Sequence, residues 1–132
     1  MLSVETPART ELGRFFEVSA RQFASDQPVP EMFSAAVDAE WHRLLNDPGY
    51  AAFCAEHAGR PVRHVENSGF GRISWVDAYE EMFGQLPQVW FTDADGVLNE
   101  RAFTRYRETG EVWAEWDCTP LPSDDVVPSV AG

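Results

Sequence analysis

The stretch Asp38-Ala-Glu-Trp41-His42, followed by Tyr50-Ala-Ala-Phe53-Cys54-Ala-Glu-His57, decides the fold and carries most of the reactive side chains. Apolar residues recur in both segments at the three- and four-residue steps of an amphipathic helix. All three histidines of the chain, and one of its two cysteines, lie in these segments or just after them, at His64. Any chemistry that the protein performs is therefore expected here.

The helical geometry of the two segments predicts which side chains meet. At about 100° per residue, Asp38 and His42 are neighbours on successive turns of one helix. Cys54 and His57 share a narrow aromatic face of the next helix. If the two helices form a hairpin, their inward faces bring these four side chains together, and His64 folds back towards them.

The same reading extends along the chain. Hydrophobic spacing and capping residues predict about four helices, at residues 10–24, 30–46, 48–58 and 74–84. Residues 61–65 are short enough to be extended, and 67–71 are rich in turn formers. Segments 88–92 and 111–116 are rich in β formers and predict a small hairpin-like unit, with 101–107 between them as a helical turn or an irregular excursion.

These elements predict a mainly α domain of the α+β class. Its length fits one domain, which we place at residues 1–118. Residues 119–132 are acidic and proline-rich, and predict a disordered tail. The turn-forming run at 92–96 alternates two aspartates before a glycine, but it lacks the later ligands of a calcium loop, so we expect a simple turn.

Composition excludes several classes of partner. The 132 residues carry a formal charge of −12, which disfavours nucleic acid and anionic membranes. All ten cationic residues are arginine, so neither a Schiff-base lysine nor a P-loop lysine is present, and no nucleotide cofactor is indicated. The absence of a signal-peptide pattern predicts a cytoplasmic protein, and the residue usage suggests a bacterial, GC-rich genome. Two cysteines in such a compartment are expected to be free.

The reactive side chains match the ligand preferences of transition metals. Imidazole and thiolate suit zinc, and also copper or nickel. We therefore predict His42, Cys54 and His64 as ligands, with Asp38 as a fourth ligand or as the group that orients an imidazole. The further candidates are His57, Cys118, Trp41 and Tyr50.

Three functions remain open on this basis. The first is a small metal-binding or accessory protein, serving a bacterial biosynthetic pathway. The second is an acidic interaction module for a protein or basic peptide, in which the cluster only stabilises the core. The third is a small enzyme in which Asp38 polarises His42 as the general base.

A known family shares several of these strings. The run Val37-Asp38-Ala-Glu-Trp41-His42, then Tyr50-Ala-Ala-Phe53-Cys54, then Gly59 with His64, resembles the V-D-x-x-W-H, Y-x-x-F-C and G-x-x-x-H-H motifs of the glycine-rich domain-containing protein-like family. The similarity covers about residues 30–91. Arg63 stands where members often carry the first of two histidines or an acidic residue, and no glycine-rich segment is present.

The resemblance implies a small, mainly helical module whose biochemical role is largely unassigned. Such modules stand alone in bacteria and occur inside longer plant proteins. The family pattern carries onto five positions of this chain, namely Asp38, Trp41, His42, Cys54 and His64. His57 is supported by helical geometry alone.

Overall fold

The computed structural model describes residues 6–122, and the part of the chain it describes has both helices and a small sheet. The helices are α1 (Pro7–Ala24), α2 (Ala35–Leu45), α3 (Tyr50–Ala58), α4 (Val76–Phe83) and α5 (Glu100–Thr109). A 3₁₀ helix spans Gln88–Phe91, and the strands are β1 (Val62–Arg72) and β2 (Trp113–Pro122). The α+β class is confirmed, with five α-helices in this range instead of about four.

Local sequence signals explain where the helices begin and end. The Thr6 hydroxyl accepts a hydrogen bond from the Arg9 amide at 3.1 Å, and Ser34 caps α2 in the same way. Helix α3 ends at Gly59, whose φ of 75° is costly for residues with a side chain. The predicted second helix began at Pro30, but the chain stays non-helical as far as Ser34.

The core is built around aromatic rings of α1. Phe15 is fully buried, and it contacts three further rings, those of Trp41, Trp75 and Trp90. Helices α2 and α3 both pack chiefly against α1, on which Phe16 also contacts Trp41 and Phe53 edge to face. Helices α2 and α3 were expected to face each other as a hairpin. Instead, each of them packs mainly against α1.

The two strands are far apart in the chain and pair antiparallel. Val62 lies opposite Pro122 and Arg72 opposite Trp113, with an irregularity between Glu66 and Gly69. The ring of Trp116 lies over Gly69, where a Cβ atom would stand 2.5 Å from its Cζ2 atom. The run at 67–71, rich in turn formers, therefore forms part of a strand instead of the predicted loop, because the partner strand needs the space of a missing side chain at Gly69.

The predicted strand at 88–92 is wrong. Trp90 and Phe91 are adjacent and both buried, whereas a strand would direct them to opposite faces. The 3₁₀ turn brings both to the core, and the Trp90 indole donates to Glu11 at 2.9 Å. Residues 101–107 belong to α5, which Asn99 caps and Gly110 ends.

The domain continues past the predicted boundary at Cys118. Strand β2 runs to Pro122, and Thr119 and Pro120 are buried and pair with β1. The rest of the predicted tail lies outside the described residues. Within residues 6–122, no helix has the length and apolar character needed to cross a bilayer.

Candidate metal centre

The carboxylate of Asp38 lies at the centre of the candidate site. Its Oδ1 atom is 3.2 Å from Nε2 of His64, and it accepts a hydrogen bond from Sγ of Cys118 at 3.2 Å. Its Oδ2 atom is 3.3 Å from Nε2 of His42. Each oxygen of one carboxylate therefore faces at least one side chain that can bind a metal.

Three elements of the fold position this cluster. Helix α2 supplies Asp38 and His42 from successive turns, as predicted. Strand β1 supplies His64, and β2 supplies Cys118 from the opposite strand of the sheet. The Met32 amide donates to the Cys118 carbonyl at 3.1 Å, which fixes the backbone that carries the thiol.

Ring contacts hold the imidazole of His64 in place. Its centroid lies 4.5 Å from that of Trp41 and 4.5 Å from that of His42, both edge to face. Trp41 is itself fixed, because its indole donates to the Tyr50 hydroxyl at 3.0 Å and that hydroxyl donates to the Val62 carbonyl at 2.7 Å. Trp41 and Tyr50 thus support the site and are not placed as ligands.

The cluster runs from the interior to the surface. Cys118 is buried, and the exposed fractions of the other side chains rise from 12% for His64 to 26% for Asp38 and 57% for His42. A small ion could therefore enter from the side of His42. The three less exposed side chains, Asp38, His64 and Cys118, which we call the inner groups, would hold it against the sheet.

The thiol of Cys118 is kept protonated by its surroundings. Burial raises its pKa well above the ordinary value of 9.0, and the charge of Asp38 and then that of Asp117 raise it further. A neutral thiol that donates to a carboxylate is a poor nucleophile. A bound cation reverses this electrostatic preference, because a thiol that coordinates a metal loses its proton.

The spacing of the inner groups is suitable for one ion. Asp38, His64 and Cys118 each offer one ligand atom, and these atoms lie within 4.8 Å of one another. In a tetrahedral zinc site with ordinary bond lengths, ligand atoms are about 3.3–3.6 Å apart. The two distances of 3.2 Å from Asp38 already fall near this range.

Cys54, which the sequence favoured as the thiol ligand, lies elsewhere. It is buried, and its hydrogen-bond partners are the Val62 backbone and the Tyr50 side chain. Burial raises its pKa, an effect that these two hydrogen bonds only partly oppose. The thiol in the cluster is Cys118, which helix geometry could not single out because it comes from a distant strand.

His57 is also separate from the cluster. Its Nδ1 atom is 2.9 Å from Oε2 of Glu17, and its ring packs on Phe53 and over Gly13. A Cβ atom on Gly13 would stand 2.7 Å from this ring, so the imidazole fills a space left by the glycine. The arrangement explains His57 as part of the contact between α1 and α3.

A buried carboxylate on α1 was missed by the sequence reading. Glu11 accepts hydrogen bonds from the Tyr79 hydroxyl at 2.5 Å and from the Trp90 indole at 2.9 Å, and Arg14 lies 3.2 Å from its other oxygen. The available signal was its position four residues before Phe15, on the apolar face of the helix. Because its partners are all present, Glu11 is a structural link between α1, α4 and the 3₁₀ turn.

No match to this chain was found among protein-family models, curated proteins or solved structures. The resemblance to the glycine-rich domain-containing protein-like family therefore remains a prediction from the motifs. The geometry around Asp38 is the observation from which function can be argued.

Proposed function

We propose that this domain binds a transition metal ion, with zinc as the simplest choice, through Asp38, His64 and Cys118. The observation that supports the proposal is that their three ligand atoms lie within 4.8 Å of one another. The mixed oxygen, nitrogen and sulfur donors suit zinc, and copper and nickel follow by ligand softness. His42 would complete the coordination from the exposed side.

The charges around the cluster support a cation there. Asp38 and Asp117 both act on the Cys118 thiol, and the whole chain has a formal charge of −12. A negative local potential raises the concentration of cations near a site. We also infer a reducing compartment such as a bacterial cytoplasm, which is supported by two buried cysteines that are free.

The first test is the metal content of untagged protein purified without chelator. Elemental mass spectrometry should find about one ion per chain, as expected for one closed site. The Cys118→Ala and His64→Ala variants should lose it. Cys54→Ala is the matched control, since it also removes a free, buried thiol, and it should keep the ion.

The proposal also predicts that metal binding stabilises the folded state. Ligand binding to the folded state alone at 100 times its dissociation constant adds about 2.7 kcal/mol. Chelation should therefore lower the melting temperature of the wild type and Cys54→Ala, but not that of Cys118→Ala. Absence of metal in the wild type after reconstitution with zinc, or equal loss in the Cys54 and Cys118 variants, would overturn the proposal.

One observation favours acid–base catalysis as a second candidate function. Nε2 of His42 lies 3.3 Å from Oδ2 of Asp38, and more than half of the imidazole is exposed to solvent. A carboxylate in this position can orient a histidine that acts as a general base. A turnover that survives chelation, is lost in His42→Ala and depends on pH would support this function, whereas a flat pH profile would exclude His42 as the base.

A further inference from the structure

The outer edge of β2 has few backbone partners. One edge of the strand pairs with β1, and the other meets the chain at Cys118, where Met32 forms an isolated bridge. Over residues 113–117, the described part of the chain shows no backbone pairing other than that with β1. An unpaired strand edge is a template for a further strand.

Two clefts run along this edge and meet at its middle. The first, of about 460 Å³, is lined by β2 at Trp113, Ala114 and Glu115. The second, of about 330 Å³, is lined by β2 from Glu115 to Asp117. Both are also lined by Phe33 and Ala35, so they are adjacent, and we call the two clefts together the β2 groove.

The β2 groove combines exposed apolar groups with carboxylates. Val97 and Trp113 line it and are 62% and 51% exposed. The carboxylates that line it are those of Asp38, Asp93, Glu115 and Asp117. Among the described residues that line it, none is cationic.

We propose that the β2 groove binds an extended peptide with alternating apolar and cationic side chains, which adds a strand at residues 113–117. Successive side chains of a strand point to opposite sides, so Trp113, Glu115 and Asp117 share the exposed side of β2. The cationic set of the peptide can therefore face these two carboxylates, while its apolar set lies on the side of Trp116. The isolated bridge between Met32 and Cys118 shows that this edge forms an antiparallel backbone pairing at the residue next to this segment. The proposal does not rest on metal binding.

Charge argues against two other occupants. A second copy of the chain would bring another formal charge of −12 to an acidic groove. The C-terminal residues 123–132 contain two aspartates and no cationic side chain. A basic peptide from another protein is the occupant whose charge complements the groove.

The test is fluorescence polarisation with a labelled octapeptide that alternates valine and arginine, in buffer with chelator so that no metal contributes. Glu115→Arg should weaken binding about tenfold or more, because the reversed charge lies in the groove. Glu108→Arg is the matched control: it makes the same charge change at an exposed position of α5 and should alter affinity by less than about twofold. Equal weakening by both variants would reduce the binding to net charge and overturn the proposal.

Two N-methylated versions of the octapeptide test strand addition itself. Methylation of alternate amides blocks backbone hydrogen bonds on one edge of the peptide, so one version should lose binding and the other should retain it. Equal binding of both versions would overturn the proposal. Two further results would also overturn it. Binding that occurs only after removal of residues 123–132 would assign the groove to the C-terminal segment. Displacement of the probe by self-association of the protein would assign it to a second copy.

Discussion

The Oδ1 atom of Asp38 accepts a hydrogen bond from Sγ of Cys118 at 3.2 Å, although eighty residues separate the two in the chain. The same oxygen lies 3.2 Å from the imidazole of His64. One carboxylate on α2 therefore contacts both strands of the sheet. The candidate metal centre is thus also one place where the sheet is joined to the helices.

The exposure of the four groups predicts a ranking of their contributions to metal affinity. His42 is the most exposed, and its imidazole contacts Asp38, so His42→Ala should weaken zinc affinity about 10- to 100-fold while one ion still binds. His64→Ala should abolish binding, because this imidazole lies in the inner group. Competition with a colorimetric zinc chelator measures both. A larger loss of zinc affinity in His42→Ala than in His64→Ala would contradict this ranking and would mean that the main ligands lie at the surface.

The contact between Trp116 and Gly69 predicts a difference between two neighbouring glycines. A Cβ atom on Gly69 would lie 2.5 Å from the Trp116 ring, so Gly69→Ala should lower the free energy of unfolding by about 1–3 kcal/mol. Gly71→Ala is the control, because its Cβ would lie 3.9 Å from the same ring, an ordinary contact. Urea denaturation of both variants measures the difference. Equal effects would mean that strand propensity, and not the ring contact, determines the cost.

The buried carboxylate of Glu11 predicts a large effect at a position outside the candidate metal centre. Glu11→Ala leaves the Tyr79 hydroxyl and the Trp90 indole without their acceptor, at about 1–3 kcal/mol for each buried group. Glu17→Ala on the same helix removes a partly exposed carboxylate paired with His57, and should cost less than about 1 kcal/mol. Denaturant unfolding of the two variants compares them. A cost for Glu17→Ala that matches Glu11→Ala would contradict the structural role of the network.

The buried thiols and phenols predict that stability falls at alkaline pH. Burial raises the pKa of Cys54 above its ordinary value of 9.0, and burial likewise raises the pKa values of Tyr50, Tyr79 and Tyr106. Above about pH 9 the unfolded chain loses these protons before the folded chain does, so the free energy of unfolding must decrease as pH rises. Urea titrations of the chelated protein on both sides of this pH measure the slope. Stability that rises with pH in this window would contradict the burial of these groups.

Most of the local secondary structure could be predicted from the sequence. Helices α1 and α3 were predicted close to their observed bounds, because amphipathic spacing and a terminal glycine act over a few residues. The neighbours Asp38 and His42 follow from the same i,i+4 geometry, and the structure confirms their contact at 3.3 Å. The predicted turn at 92–96 is also confirmed, with a bridge between Thr92 and Leu98 and Gly96 at a φ of 86°.

Long-range pairing was decided only by the tertiary structure. The second half of β1, residues 67–71, was expected to be a loop, because the sequence does not show that Gly69 makes room for the ring of Trp116 across the sheet. In the same way, both cysteines are buried thiols, but only Cys118 lies beside Asp38. The sequence by itself determined which faces are apolar and which side chains can bind a metal. Which of these meet depends on how α2 and the two strands pack, since packing joins residues that no local spacing relates.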